Sequence, residues 1–249
     1  MVWADAHIFI YHRFNDSRYP TTNTTLEELR KEFDYFKKNG YEVIPLEKLV
    51  NALHNKEAIP DNWVVLTIDD NYKSFYNHGL ALFKEYGYPF SMFVYVGATE
   101  KNYGDFMSWE ELKEIQKYGS LEFHSMNHPH MTELSDEALK KDFDEGLALF
   151  EKRLGIKPRY FSYPFGEFSP RVKNIATSYG FQAILNQTMG AVASFSDPLD
   201  LDRSALVGKS DLGGFLKYKA LETTWFEPTF LGEDGKLTSL HVKAQTNAT

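Results

Sequence analysis

The chain contains no cysteine, which excludes disulfides and thiolate ligands and leaves oxygen and nitrogen donors for any bound metal. It has no apolar run of about eighteen residues, so nothing in it reads as a transmembrane segment. Basic residues are in the minority, 27 Lys and Arg against 35 Asp and Glu, for a net charge of −8, and no basic cluster is visible. Nucleic acid is therefore not an expected partner, because phosphate binding needs clustered positive charge. A neutral or cationic partner suits the balance better. Internal repeats and low-complexity tracts are absent as well. The first residues lack the charged start and apolar stretch of a signal peptide. Met1-Val2-Trp3-Ala4-Asp5-Ala6 runs abruptly into the first strand, as expected of a processed or trimmed start.

What is present is enough apolar material for one substantial core: 43% of 249 residues are hydrophobic. His7 to His12 reads as an opening strand, and Thr24-Thr25-Leu26-Glu27 has the form of a capping box starting a helix that should end at Asn39-Gly40. Tyr41 to Ile44 is a short strand, Leu46 to Leu53 a helix, and Trp63 to Ile68 a buried strand, too short and too β-branched for a helix. The pattern repeats with a helix Tyr72 to Tyr86, a strand Phe90 to Val96, a helix Ser108 to Tyr118 and a strand Leu121 to Phe123. A long helix Ser135 to Leu154, a strand Arg159 to Tyr163, a helix opened by Ser169-Pro170 and a strand Phe181 to Leu185 complete it. Such alternation with short connections predicts an α/β fold with right-handed crossovers and about seven parallel strands, as a closed or nearly closed barrel over residues 1–220. Residues 221–249 depart from it. Glu222 to Glu227 and Lys236 to Val242 read as two strands about the turn Gly232-Glu233-Asp234-Gly235, a C-terminal β-hairpin or the start of a truncated β domain.

Asp69 and Asp70 close the buried strand, and carboxyl ends of parallel strands are where α/β active sites assemble. Successive residues leaving a strand point different ways, so one carboxylate can bind metal while the other faces the reacting water. His124 and His128 are four apart and, on a helical turn, would share a face and converge on one ion. Taken singly, an aspartate pair after a strand is more often a helix cap, and a His-x-x-x-His pair is usually no ligand set. Their conjunction with the turn Pro164-Phe165-Gly166 is far more specific.

The stretch Leu66-Thr67-Ile68-Asp69-Asp70-Asn71-Tyr72-Lys73-Ser74 resembles the first motif of the polysaccharide deacetylases (NodB-like, carbohydrate esterase family 4). His124-Ser125-Met126-Asn127-His128-Pro129 resembles their second motif and Phe161-Ser162-Tyr163-Pro164-Phe165-Gly166 their third. The likeness spans roughly residues 7 to 208. It implies a distorted (β/α) barrel, Asp69 as general base, and Asp70, His124 and His128 as ligands of a metal, Zn2+ first with Co2+ or Ni2+ as alternatives. It also implies an oxyanion stabilised by the backbone N–H of Phe165, with Pro164 and Gly166 holding the turn.

Two histidines are candidates for the acid that protonates the leaving nitrogen. His241 has the late position of the ordinary family pattern. His12, in Phe9-Ile10-Tyr11-His12-Arg13, resembles the opening strand of a circularly permuted branch that includes poly-N-acetylglucosamine deacetylases, and is preferred. Ser162 stands where the third motif usually has arginine, so the usual orienter of the catalytic aspartate is missing; Arg203 is the candidate replacement charge, grouped with the substrate-side residues Tyr11, Pro164 and Trp109. Asn71 replaces the usual glycine and can keep a left-handed turn. Tyr11, Trp109 and Trp225 are candidate sugar platforms, and His130 reads as solvent exposed or as a supporting neighbour of the metal site.

The implied activity is metal-dependent N-deacetylation of N-acetylglucosamine units in a polysaccharide outside the cytoplasm, periplasmic or secreted. The alternatives are a non-catalytic carbohydrate-binding member of the fold and an O-acetyl esterase.

Overall fold

The structure, a computed structural model, describes residues 5–208, 210–223 and 244–246. Its centre is a parallel sheet. In spatial order the strands are Ser204–Ala205, His7–Tyr11, Trp63–Asp69, Ser91–Val94, Ser120–Phe123, Tyr160–Ser162 and Ala183–Leu185, with Glu42–Val43 added beside the start of Trp63–Asp69. The sheet curls into a half-barrel, and its parallel strands follow from the repeated strand–helix alternation. The segment following Leu201 touches both edges: Leu201 bridges Leu185, and Leu206 N–H donates to Ile10 O at 2.9 Å. Its strand Ser204–Ala205 is absent from the sequence reading because two residues carry no periodicity.

Register decides the rim. Tyr11 pairs with Ile68, Asp69 with Phe93, Val94 with Phe123 and Ser162 with Leu185. The residues just past the strand ends, His12, Asp70, Tyr95 and His124, therefore stand on one rim of the barrel, as parallel strands dictate.

Side-chain alternation splits the interior in two. Phe9, Tyr11, Leu66, Ile68, Met92 and Phe123 join an aromatic-rich cluster with Phe33, Phe36, Phe83 and Phe90. Ile8, Val65, Phe93, Tyr160, Ala183, Leu185 and Leu201 form the second cluster, and Thr67 and Asp69 point with Val65 by the same period of two.

Several boundaries move. The capping box is one residue later than expected: Thr25 caps Leu26–Lys38 and Glu28 returns the bond, while Thr24 lies in a short strand with its hydroxyl on Leu206 O. The expected helix Tyr72 to Tyr86 begins as a π-turn, Phe75–Gly79, at whose end the rings of Phe14 and Phe75 close onto Gly79, where a Cβ would stand 2.8 Å from each. The strand Ser91–Val94 ends early and gives way to a short helix, Val96–Glu100. In the tail, Leu221–Thr223 pairs antiparallel with Ala244–Thr246; the rest of the expected hairpin, with Trp225 and His241, lies outside the described residues. Among the described residues no helix is long and apolar enough to cross a membrane.

The aromatic cluster encloses one carboxyl group. Tyr11 Oη donates to Glu32 Oε2 at 2.7 Å, and burial pushes Glu32 up to about 7, against the Tyr11 bond that lowers it. Glu32 is neutral in both states below its ordinary value of 4.5; between 4.5 and about 7 it ionises only when unfolded. Stability should thus fall as pH rises through that window, by on the order of 2–3 kcal/mol from this group. Buried Glu122, also pushed up to about 7, adds to the same trend. Glu32→Gln should match wild type at pH 4 and exceed it at pH 8 in urea unfolding; equal midpoints at pH 8 would remove Glu32 as a source of the trend.

Candidate active site

The turn after Trp63–Asp69 is strained. Asp70 has φ 70° and Asn71 φ 44°, the left-handed region that Asp and Asn tolerate best among non-glycine residues. Asn71 holds the turn through its side chain: Oδ1 accepts from Tyr95 N–H at 2.8 Å and Nδ2 donates to Thr99 Oγ1 at 2.9 Å. This reversal separates the two carboxylates. Asp69 stays with the barrel interior, and Asp70 turns to the rim.

His124 and His128 do converge, but not on a helical turn. Residues 124–130 are an irregular loop in which Ser125 (φ 71°) and His128 (φ 50°) are left-handed. Side chains supply what a helix would have supplied. Ser125 Oγ accepts from His128 N–H at 2.8 Å, and Asp142, buried on the helix Asp136–Leu154, accepts from Met126 N–H and Asn127 N–H, both at 2.9 Å. Gly97 N–H donates to Met126 O at 2.9 Å, and a Cβ at Gly97 would sit 2.3 Å from that oxygen. Asp142 and Gly97 were not among the expected site residues. The sequence signal for Asp142 is an acidic residue on the apolar face of an amphipathic helix.

Asp70 Oδ1 lies 3.0 Å from His128 Nε2 and 3.4 Å from His124 Nε2, and the three donor atoms all stand within 4.8 Å of one another. Donors about 2.0–2.2 Å from a tetrahedral ion are about 3.3–3.5 Å apart, so the spacing suits one cation. The chemistry agrees, since Asp70 Oδ1 is buried with no hydrogen-bond partner among the described residues. Burial raises the Asp70 carboxyl, but the His124 and His128 imidazoles beside it outweigh that and hold it well below its ordinary value. Burial depresses His124, and the Asp69 and Asp70 charges more than reverse that. His124 Nδ1 is 2.8 Å from Ser162 O, which aims Nε2 at the cluster.

Asp69 is wholly buried beneath it. Arg203 donates through Nη1 to Oδ1 at 2.9 Å and through Nη2 to Oδ2 at 2.8 Å, Ser162 Oγ donates to Oδ2 at 3.2 Å, and Arg203 also reaches Thr67 Oγ1 and Asn186 O. Burial raises the Asp69 carboxyl, while the charges of Arg203 and His124 outweigh it and lower it overall. Arg203 thus lies paired with Asp69, and Ser162 adds a third bond to the same carboxylate. Arg203 is not substrate-binding as expected, because it is fully buried and committed to Asp69.

His12 shares this cavity. Burial lowers its imidazole, against Asp70 and Asp69 which raise it, and its Nδ1 is buried without a hydrogen-bond partner among the described residues. Phe165 is left-handed (φ 59°) on the turn Pro164–Gly166, 46% exposed, with its ring 4.5 Å from His128. Pro164 is buried within that turn. Two expected platforms are corrected: Tyr11 is fully buried and tied to Glu32, and Trp109 is buried with its indole N–H on Glu100. Neither offers a free ring face to a sugar. His130 is exposed, as expected, and stacks on Phe165.

The polysaccharide deacetylase family model matches residues 56–184. YxkH of Bacillus subtilis (strain 168) is 23% identical over 195 residues, 76% of this chain and 67% of its own length. The poly-beta-1,6-N-acetyl-D-glucosamine N-deacetylase of Escherichia coli (strain K12) is 20% identical over 195 residues, covering 61% of this chain and 29% of its own. The Staphylococcus aureus (strain MSSA476) protein of that name is 25% identical over 168 residues, covering 61% and 52%. The chain thus spans about half or less of the length of these two deacetylases. Among solved structures, the Streptococcus pyogenes deacetylase PplD in complex with acetate superposes with a TM-score of 0.75 at 21% identity, covering 82% of this chain and 93% of that one. IcaB from Ammonifex degensii gives 0.71 at 22% identity, covering 82% and 92%. These structural likenesses concern the fold.

Removing one partner of a buried ion pair leaves the other charge uncompensated, at a cost of about 3–5 kcal/mol. Arg203→Met should destabilise the protein by that order in urea unfolding, whereas Ser162→Ala, which removes a single hydroxyl, should cost about 1 kcal/mol. A small effect of Arg203→Met would mean that Asp69 is not held as a charge.

Proposed function

The chain belongs to the polysaccharide deacetylase family, and on that premise we propose that it hydrolyses the N-acetyl groups of N-acetylglucosamine units in a polysaccharide outside the cytoplasm. The observation that carries the reading is the convergence of two imidazoles on the unpartnered Asp70 Oδ1, beside a second carboxylate held as an anion. A binding module has no use for that second charge. The relatives named as deacetylases of poly-beta-1,6-N-acetyl-D-glucosamine support the substrate class. We take residues 1–220 as the catalytic unit and 221–249 as an extension.

Asp70, His124 and His128 would hold a divalent ion, Zn2+ or else Co2+ or Ni2+. Such an ion supplies Lewis acidity to the amide carbonyl and makes water acidic enough for a weak base to deprotonate. Asp69 is that base. Arg203 and Ser162 occupy three of its roughly four acceptor positions, leaving one for the proton of the attacking water. The Phe165 N–H steadies the negative charge on the former carbonyl oxygen. His12 delivers a proton to the nitrogen as the C–N bond breaks, releasing acetate and a free amine; an imidazole with a lowered pKa is the stronger donor once charged.

Acetate release from soluble poly-N-acetylglucosamine, chitin oligomers, peptidoglycan fragments and acetylated xylan, each with added zinc, cobalt or nickel, tests the substrate class. Activity on the N-acetylated glycans is expected, and preference for xylan would overturn the reading. His128→Ala should lose metal by elemental analysis along with activity. Asp69→Asn should keep the metal and lose turnover on the order of a hundredfold or more. His12→Ala should damage turnover more than His241→Ala; the reverse order would move the acid to the tail.

A further inference from the structure

The two histidines of the metal cluster are anchored by different means. His124 is fixed through Nδ1 by Ser162 O at 2.8 Å, and its side chain is 1% exposed. His128 is 16% exposed, and among the described residues no protein group hydrogen-bonds its Nδ1. Rings hold it instead. Tyr95 lies 5.4 Å away at 38°, and Phe165 lies 4.5 Å away, nearly perpendicular at 72°.

Phe165 is a poor support by itself, being half exposed on a left-handed turn. Its ring is stacked by His130 at 4.2 Å and 9°, and His130 Nδ1 stands 2.9 Å from Glu167 Oε2, two residues beyond Phe165 on the same turn. His130 thus grips both the ring and the carboxylate of the 164–167 turn. His130 and Glu167 are both about half exposed, and an ion pair so exposed contributes little to stability. What it does is hold the imidazole parallel to Phe165. The loop that carries His128 is thereby tied to the turn that carries Phe165.

We propose that His130 and Glu167 are positioning residues that act through Phe165 to hold the His128 imidazole in its ligating orientation, and so set how tightly the site retains a divalent cation. The proposal rests on the metal centre described above. A ligand free to swing loses preorganisation, and outer partners of metal ligands typically change affinity about 10–100-fold.

Competition against a chelator for Zn2+ and Co2+, at one fixed pH on the full chain, measures the effect. The visible spectrum of the Co2+ form reports ligand geometry, and melting of the metal-free protein reports stability. His130→Ala should weaken metal binding about tenfold or more and alter the Co2+ spectrum, with metal-free melting unchanged. His130→Phe, which keeps the stack but loses the contact with Glu167, should recover part of the loss. Wild-type affinity and spectrum in His130→Ala, or His130→Phe as weak as His130→Ala, would overturn the proposal while leaving the metal centre standing. A wild-type chain that takes up no metal would overturn both.

Discussion

The site depends on the buried pairing of Asp69 with Arg203. A carboxylate with no exposure would ordinarily be protonated, since ionising it away from water is expensive. Two parallel bonds from a guanidinium, in the geometry that suits carboxylates best, keep it charged. Arg203 comes from the segment that laces the two edges of the sheet, so the contact that holds the Asp69 carboxylate lies on the segment joining those edges. The same guanidinium holds Thr67 and Asn186 O, leaving it little freedom to turn toward a substrate.

Around that pair the site is assembled from backbone that most sequences avoid. Asp70, Asn71, Ser125, His128 and Phe165 all have positive φ, and such residues cost of order 1–3 kcal/mol each when they persist. The compensation is visible at several positions: Asn71 bonds Tyr95 N–H, Ser125 bonds His128 N–H, and Asp142 takes two successive amides of the histidine loop. Side-chain bonds that hold such backbone also fix where the donors of the cluster point.

The electrostatics point the same way. Asp70 is pulled down by His124 and His128, and His124 is pulled up by Asp69 and Asp70, although burial acts against both. The rings of Tyr95 and Phe165 pack on His128 and leave it 16% exposed.

Much of this was legible in the chain. Strand–helix alternation specified the parallel sheet, and a parallel sheet by itself brings His12, Asp69, Asp70 and His124 to one rim, because all strands end on the same side. Without cysteine only oxygen and nitrogen donors were available to a metal, and the particular set Asp70, His124 and His128 was implied by the family resemblance of the motifs that carry them. What tertiary structure alone decided was orientation. Arg203 became the partner of Asp69, Tyr11 and Trp109 went into the core, and an irregular loop rather than a helical turn brought His128 round to Asp70. These depend on contacts between residues as many as 134 positions apart, as for Asp69 and Arg203. Local sequence determines where a side chain leaves the backbone, whereas which charge or ring it meets is settled by the closing of the barrel.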